Sequence, residues 1–386
     1  MTRILISAGE VSGEHHAGRL MLALRERDPS LEFDAFGGQH LESLGARLLF
    51  PLSDFAVMGL AGVFKHLKTF VSALALFDRT LKETRPDLVI LTDYPGLHLR
   101  FARLAQRRGV PVLFFICPQL WAWAPWRARR FARVVDHALT ILPFEEAYFR
   151  KLGIDARYIG HPAADALAEQ ETDASTALDD EVAAADPALA LLPGSRTQEI
   201  RANLPTMIRV ARRLRKDWPN ATFFLPQKRD KTRRLCEEVL RELPLEGVRI
   251  VDDLPAVLRH ARFALVVSGT VTFEVAFHGV PMVVLYRVTK FQHALVSRIL
   301  TVPWVSQVNL IAGRELVPEF VTPDEPIDEI TERCRALIGE TANRAACVEA
   351  LQDRLAHAFG PGASDRAADA VMELLAAPDR PSEASR

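Results

Sequence analysis

The stretch FALVVSGTVTFEVAFHGVPMVVLYR, residues 263–287, decides the fold class. It opens with a continuous apolar run that ends at Ser268, turns at Gly269 and Thr270, and continues as a segment of helical spacing. A second apolar run, PMVVLY (281–286), closes it. Apolar runs separated by a helix are the pattern of parallel strands buried on both faces, because the crossover helix must cover the sheet that its strands build.

The pattern recurs along the chain. RILISA (3–8), DLVILT (87–92), PVLFFI (111–116) and HALTIL (137–142) read as strands of the first half. ALALLP (188–193), ATFFLP (221–226) and VRIVDD (248–253) join the opening stretch in the second. Helical patterns rich in Ala, Leu and Arg, such as 97–108 and 203–216, separate most of them. Between the halves, residues 165–187 hold eight acids and no basic residue, which reads as a solvated linker or an exposed helix. The expected architecture is α/β, with two doubly wound Rossmann-like domains facing across a cleft and ligands beyond the carboxyl ends of the strands. The expected divisions are 1–165, an acidic linker region at 166–187, 188–345, C-terminal helices at 346–377 that pack back on the first domain or on a partner subunit, and a disordered tail at 378–386.

Bulk properties narrow the function. The 386 residues are 49% apolar and 25% charged with a net charge of −1, so nothing favours nucleic acid as the main partner. Four scattered cysteines without C-x-x-C spacing argue for reduced thiols in the cytoplasm and against a zinc cage. The N-terminal apolar run is too short for a signal peptide. The most hydrophobic region, 55–77, is interrupted by Lys65, His66 and Lys68. Leu60, Val63, Phe64, Leu67, Phe70, Val71 and Leu74 keep helical spacing there, so it reads as an amphipathic helix, packed on a sheet or touching lipid.

Chemistry concentrates at the predicted strand ends. In LALLPGSRTQEI (189–200) the amides of Gly194 and Ser195 and the forked cation of Arg196 suit a pyrophosphate. In the opening stretch Ser268, Gly269 and Thr270 offer amides and hydroxyls to phosphate, and Glu274 follows one turn later to accept from ribose hydroxyls. Taken singly, Gly269 is a turn residue and Glu274 a solvated helix residue; together the two junctions favour a nucleoside diphosphate. In the first half, ISAGEVSGEHHAGRL (6–20) fits neither the G-x-G-x-x-G nor the P-loop pattern. His15 and His16 would point about 100° apart on a helix with no ligand at i+4, which disfavours a metal. CPQLWAWAPWRARRFAR (117–133) sets three tryptophans among four arginines. It reads as an apolar loop leading into a basic surface helix, or as a groove for acyl chains and anionic head groups.

These two junctions, with PQLWAW (118–123), LPFEEAYFRKLGIDARYIGHP (142–162), VNLIAGRELVPEF (308–320) and the opening AGEVSGE, resemble the lipid-A-disaccharide synthase family in order and spacing from residue 3 to about 360. The resemblance implies a GT-B fold. It implies inverting transfer of 2,3-diacylglucosamine from UDP-2,3-diacylglucosamine to 2,3-diacylglucosamine 1-phosphate (lipid X), with release of UDP. It also implies no metal and no other cofactor, a place at the cytoplasmic face of the inner membrane as a peripheral protein, and a homodimer. Carried onto this chain, it assigns the UDP-sugar to Gly194, Ser195, Arg196, Glu199, Ser268, Gly269, Thr270 and Glu274, with Asn309 and Arg314 on the donor side. The acceptor or membrane side falls to Ser12, Gly13, Met58, Val63, Phe64, Leu67, Trp121, Trp123, Trp126 and Arg127.

Four positions depart from the family's pattern. Gly96 stands where D-x-P-D-F-N has its second aspartate, Gly62 where a glutamate is usual, Ala124 where an arginine follows WAW, and Glu14 replaces an aspartate. An inverting transfer needs a base at the acceptor hydroxyl and stabilisation of the departing diphosphate. With Gly96 in place, Asp93 at the end of DLVILT ranks first as base, ahead of Glu14 and then a histidine, with Glu10 a further acid on the acceptor side. The plain alternative for Asp93 is a helix N-cap. Ser12 is expected to cap the helix of AGEVSGE, and Gly9 and Gly13 to admit an acceptor. The altered acids leave two other functions open: a related enzyme with another UDP-sugar or acceptor, or a non-catalytic homologue that binds UDP-sugar or lipid.

Overall fold

The computed structural model describes residues 2–55, 67–171, 177–358 and 360–376. The chain forms two compact units, residues 1–165 with 360–386, and residues 166–359. The first contains a seven-stranded sheet of order β3-β2-β1-β4-β5-β6-β7. Its strands are β1 (Arg3–Ala8), β2 (Glu32–Phe36), β3 (Arg47–Phe50), β4 (Leu88–Thr92), β5 (Val112–Phe115), β6 (His137–Thr140) and β7 (Asp155–Tyr158). The second contains a six-stranded sheet of order β10-β9-β8-β11-β12-β13. Its strands are β8 (Ala188–Leu192), β9 (Thr222–Pro226), β10 (Val248–Val251), β11 (Phe263–Val266), β12 (Met282–Arg287) and β13 (Glu319–Thr322). The pairings are parallel, and in each sheet the order reverses beside the first strand, between β1 and β4 and between β8 and β11. That reversal opens a crevice where the two flanking loops diverge.

Period-two alternation sends β1 and β4 into two cores. Ile4, Ile6, Leu88 and Ile90 face the helix Val11–Arg27 and the C-terminal helix Ala363–Ala376. Leu5, Val89 and Leu91 face Phe77 and Phe101, whose rings stack 3.9 Å apart. Sequence reasoning missed β2, β3, β7 and β13. These are short and carry charge, so they lack the apolar run of a central strand. Asp34 on β2 and Arg47 on β3 show why charge is tolerated: they pair bidentately at 2.7 and 2.9 Å beside the sheet edge.

Three expectations are revised. Of the two readings of the acidic region the helical one holds, in the helices Pro162–Glu171 and Ala177–Ala183, but it is not wholly exposed, since Asp179 is buried in a bidentate pair with Arg259. The C-terminal helices do not act as one block. Ala342–Ala358 packs within the second unit, whereas Ala363–Ala376 lies along Val11–Arg27 in the first. There Arg27 pairs with Asp365 and Asp369, and the Asp165 carboxylate accepts from the backbone N–H groups of Gly362, Ala363 and Ser364. In the hydrophobic region, the helix Leu67–Thr84 turns Ala73, Phe77 and Leu81 inward, while Val71, counted on the apolar face, is 58% exposed. Leu60, Met58, Val63 and Phe64 lie outside the described residues, and Leu67 opens the helix.

Candidate active site

In the second unit a cavity of about 1140 Å³ lies at the carboxyl ends of β8, β9, β10 and β11, over the point where the strand order reverses. Gly194, Ser195, Arg196, Glu199, Ser268, Gly269, Thr270 and Glu274 all line it. The sheet brings the two junctions together because β8 and β11 are hydrogen-bonded neighbours although about 75 residues apart in sequence.

The Gly194 loop is closed by its own acid. Glu199 accepts from the Ser195 and Arg196 amides at 3.3 Å each, and the Arg196 guanidinium donates to its other oxygen at 3.0 Å. This is a capping arrangement at the start of the helix Thr197–Asp217. It also means that a carboxylate already occupies the Ser195 amide and the Arg196 guanidinium, two of the donors assigned to phosphate from the sequence. Gly194 has φ +103°, and a Cβ there would come within 2.5 Å of a Glu199 oxygen. Only glycine fits both the backbone and the carboxylate.

Glu274 is different. It sits on the short helix Val271–Phe277, and its carboxylate has no hydrogen bond or ion pair among the described residues. Burial alone raises its pKa above the usual glutamate range. A half-buried acceptor that lines the cavity without a donor among the described residues is poised for donors brought by a ligand. Ser268 Oγ donates weakly to the Val305 carbonyl at 3.4 Å, and Gly269 has φ +154°.

Asn309 and Arg314 do not line this cavity. Asn309 is fully buried, and its amide is saturated: Nδ2 donates to the Val317 carbonyl and to Glu319, and Oδ1 accepts from the Leu316 and Val317 amides. Glu319 in turn accepts from the Val305 amide, and the Val305 carbonyl accepts from Ser268, so this network links Asn309 to the Ser268 loop. Arg314 is exposed. Sequence reasoning missed the opposite wall, formed by Gln227, Lys228, Arg229, Asp252, Asp253 and Arg259. The signal was present, since QKRDK (227–231) directly follows the predicted strand 221–226. Gln227 Nε2 donates to the Gly194 carbonyl at 3.1 Å and ties the two walls together.

In the first unit the candidates separate. Asp93 and Tyr94 are consecutive residues with φ +51° and +49°, a left-handed turn that costs on the order of 1 kcal/mol per non-glycine residue. Asp93 is no helix cap: the N-cap of Pro95–Arg107 is Tyr94, without a side-chain cap. Burial raises the Asp93 pKa, offset in part by the Tyr94 amide. Its Cβ faces Gly13, where an added Cβ would lie at 3.7 Å. Glu14 points elsewhere. It is buried at 4% exposure and accepts from the Leu41 amide at the start of the helix Gln39–Ser43.

The opening loop of this unit also needs correction. Glu10, not Ser12, is the N-cap residue of Val11–Arg27, and Ser12 is an exposed second helical residue. Gly9 admits the Tyr94 ring, since a Cβ there would lie 2.3 Å from it, and Gly13 lies against Thr92 and Asp93. Both glycines therefore accommodate the protein's own side chains. The His15 and His40 rings lie 4.3 Å apart, tilted at 49°. His16 turns inward, where burial, Arg19 and His15 together lower its pKa to about 4.

The tryptophans also part company. Trp121 is in the core, edge-on to Phe144, and its Nε1–H donates to the buried Glu145 at 3.0 Å. That removes it from any open groove. Trp126 is 65% exposed on the helix Pro125–Ala132, with Arg127, Arg129 and Arg130 exposed beside it. The Trp123 side chain lies outside the described residues.

Comparison with known proteins adds the family. A model for lipid-A-disaccharide synthetase matches residues 4–372. This chain belongs to the lipid-A-disaccharide synthetase family. The lipid-A-disaccharide synthase of Acidobacterium capsulatum is 36% identical over 371 residues, covering 94% of this chain and 93% of that one. That of Myxococcus xanthus is 36% identical over 378 residues, covering 97% of each. Among solved structures, the UDP-GlcNAc 2-epimerase from Neisseria meningitidis has a TM-score of 0.63 at 14% identity, covering 97% of this chain and 99% of that one. Acinetobacter baumannii MurG has a TM-score of 0.57 at 13% identity, covering 97% and 100%. These likenesses identify the fold as GT-B, in keeping with the two doubly wound sheets. Members of the family are glycosyltransferases, and the chain is an enzyme of that class.

Proposed function

We propose that this protein transfers 2,3-diacylglucosamine from its UDP derivative to 2,3-diacylglucosamine 1-phosphate, with inversion, giving the disaccharide 1-phosphate and UDP. The observation that carries the reading is the cavity over the β8/β11 reversal, with Glu274 half-buried and without a partner among the described residues beside the Ser268–Thr270 turn. Glu274 would accept from both ribose hydroxyls. The Ser268–Thr270 turn and Arg196 would hold the diphosphate, which must gain negative charge as the glycosidic bond breaks. Glu199 would release its hold on Arg196 and the two amides as the phosphates enter.

In this reading Asp93 is the base. It deprotonates the acceptor hydroxyl as that oxygen attacks the anomeric carbon from the face opposite UDP. A raised pKa makes a carboxylate a stronger base once ionised, the direction such a role needs. Among the described residues nothing lies within 4 Å of a Cβ built at Gly96, where the family has an acid. Glu14, bound to the Gln39–Ser43 helix, serves as a structural acid.

The protein would work as a peripheral protein on the cytoplasmic face of the inner membrane. Support comes from exposed Trp126 and its arginines, which suit an anionic surface, and from four free, buried cysteines, which suit a reducing compartment. No helix among the described residues is long and apolar enough to cross a membrane. Incubating the purified protein with UDP-2,3-diacylglucosamine and lipid X should yield UDP and disaccharide in equal amounts. UDP binding without turnover would defeat the proposal, and turnover surviving Asp93→Ala would defeat the choice of base.

A further inference from the structure

His98 lies on the helix Pro95–Arg107 and is fully buried. Its Nδ1 is 2.7 Å from the Asp93 carbonyl oxygen, and its Nε2 is 2.9 Å from Ser7 Oγ on β1. A carbonyl oxygen can only accept, so Nδ1 carries the proton. Nε2 is left with its lone pair and accepts from the Ser7 hydroxyl. Burial lowers the His98 pKa to about 4, so the ring is neutral in the physiological range. The ring is fixed on its faces as well, with Tyr94 edge-on at 5.9 Å, Phe101 at 5.8 Å and Phe114 at 6.3 Å.

The residue it holds is unusual. Asp93 and Tyr94 both adopt positive φ without being glycine, and such a turn persists only where its surroundings over-determine it. His98 supplies that constraint from within the next helical turn, and Ser7 anchors the ring to the adjacent strand. We propose that His98 is a positioning residue, which holds the Asp93–Tyr94 turn in its left-handed form and thereby aims the Asp93 carboxylate at the acceptor hydroxyl. The proposal rests on the reading of Asp93 as base. Without the Nδ1–H bond the Asp93 carbonyl is buried with no donor from this ring, and the turn is free to relax toward negative φ. A carboxylate displaced by about 1 Å costs up to about 100-fold in rate while the substrates still bind.

The test is steady-state kinetics of the full chain with UDP-2,3-diacylglucosamine and lipid X, alongside thermal melts. His98→Leu is expected to lower kcat about 10- to 100-fold with both KM values unchanged. His98→Asn, whose amide offers one donor and one acceptor in place of the two ring nitrogens, is expected to restore turnover to within about threefold. On an Asp93→Ala background, His98→Leu should lower the residual rate no further, because its effect runs through Asp93. If His98→Leu does not fold, Ser7→Ala asks the same question, with kcat reduced about threefold or more at unchanged KM as the expected result. A wild-type kcat in His98→Leu or in Ser7→Ala, or a further loss on the Asp93→Ala background, overturns the positioning role. A loss that appears only as a higher KM also overturns it. Full turnover by Asp93→Ala alone instead overturns the reading of the base, so the two failures are distinguishable.

Discussion

Replacing Glu274 by glutamine should weaken nucleotide binding and stabilise the empty protein at the same time. The carboxylate is half-buried and carries no partner among the described residues, so the empty site bears a partial desolvation cost uncompensated. In the bound state it would accept from two ribose hydroxyls, and hydrogen bonds to a charged group contribute about 1.5–3 kcal/mol each. Glutamine keeps one acceptor oxygen and loses the charge. A net loss of about 2 kcal/mol follows, or about 30-fold in the Kd for UDP. Removing a partly desolvated, unpaired charge should add up to about 1 kcal/mol to folding, which raises Tm by up to about 2–4 °C in a unit of this size. Titration calorimetry with UDP and with 2′-deoxy-UDP, together with thermal melts of the empty proteins, reads both effects. The wild type should discriminate against the deoxynucleotide and the variant should not. Undiminished UDP affinity in Glu274→Gln would refute the ribose contact, and a lower Tm would refute the claim that the carboxylate is uncompensated.

Three further outcomes test other parts of the structure. Gly194→Ala should cost more than about 1 kcal/mol in urea melts and should weaken UDP binding, because φ is +103° and the new Cβ meets Glu199. Asp165→Ala should destabilise the Ala363–Ala376 helix by about 1–2 kcal/mol, seen as faster amide exchange over that helix, since three backbone amides lose their acceptor. For Glu145, burial raises the pKa from 4.5 to about 7 against the pull of Trp121 and two backbone amides. The folded state therefore binds this proton more tightly than the unfolded chain. The stabilisation is complete below about pH 4.5 and is lost as pH rises through about 7. Glu145→Gln should abolish that loss, so its stability relative to wild type should rise by about 3 kcal/mol between about pH 4 and pH 8 in urea melts.

Legibility varied with the kind of information each residue carried. The cavity wall from Gly194 to Arg196 and from Ser268 to Glu274 could be read because phosphate and ribose sites use short local patterns at strand ends. The wall at Lys228 and Arg229 was equally local but resembled a solvated charge run. Glu14 and Trp121 could not be assigned from sequence. Each belongs to a buried hydrogen bond with a distant element, Leu41 in one case and Glu145 in the other. Asn309 misled for a related reason, since an amide in a family motif suits a ligand and a loop equally well until its partners are known.

The sequence by itself determined the α/β class, the alternation of buried strands and helices, and the family, because apolar periodicity and contiguous motifs are properties of the chain order alone. Tertiary structure decided which polar groups remained available. Glu199 is occupied by amides, whereas Glu274 is left bare, and nothing in GSRTQE or GTVTFE distinguishes them. It also decided that Asp93 stands on a left-handed turn held by His98 and Ser7. The physical reason is that a carboxylate's chemistry depends on its desolvation and its donors, and both are supplied by residues brought in from other strands and helices.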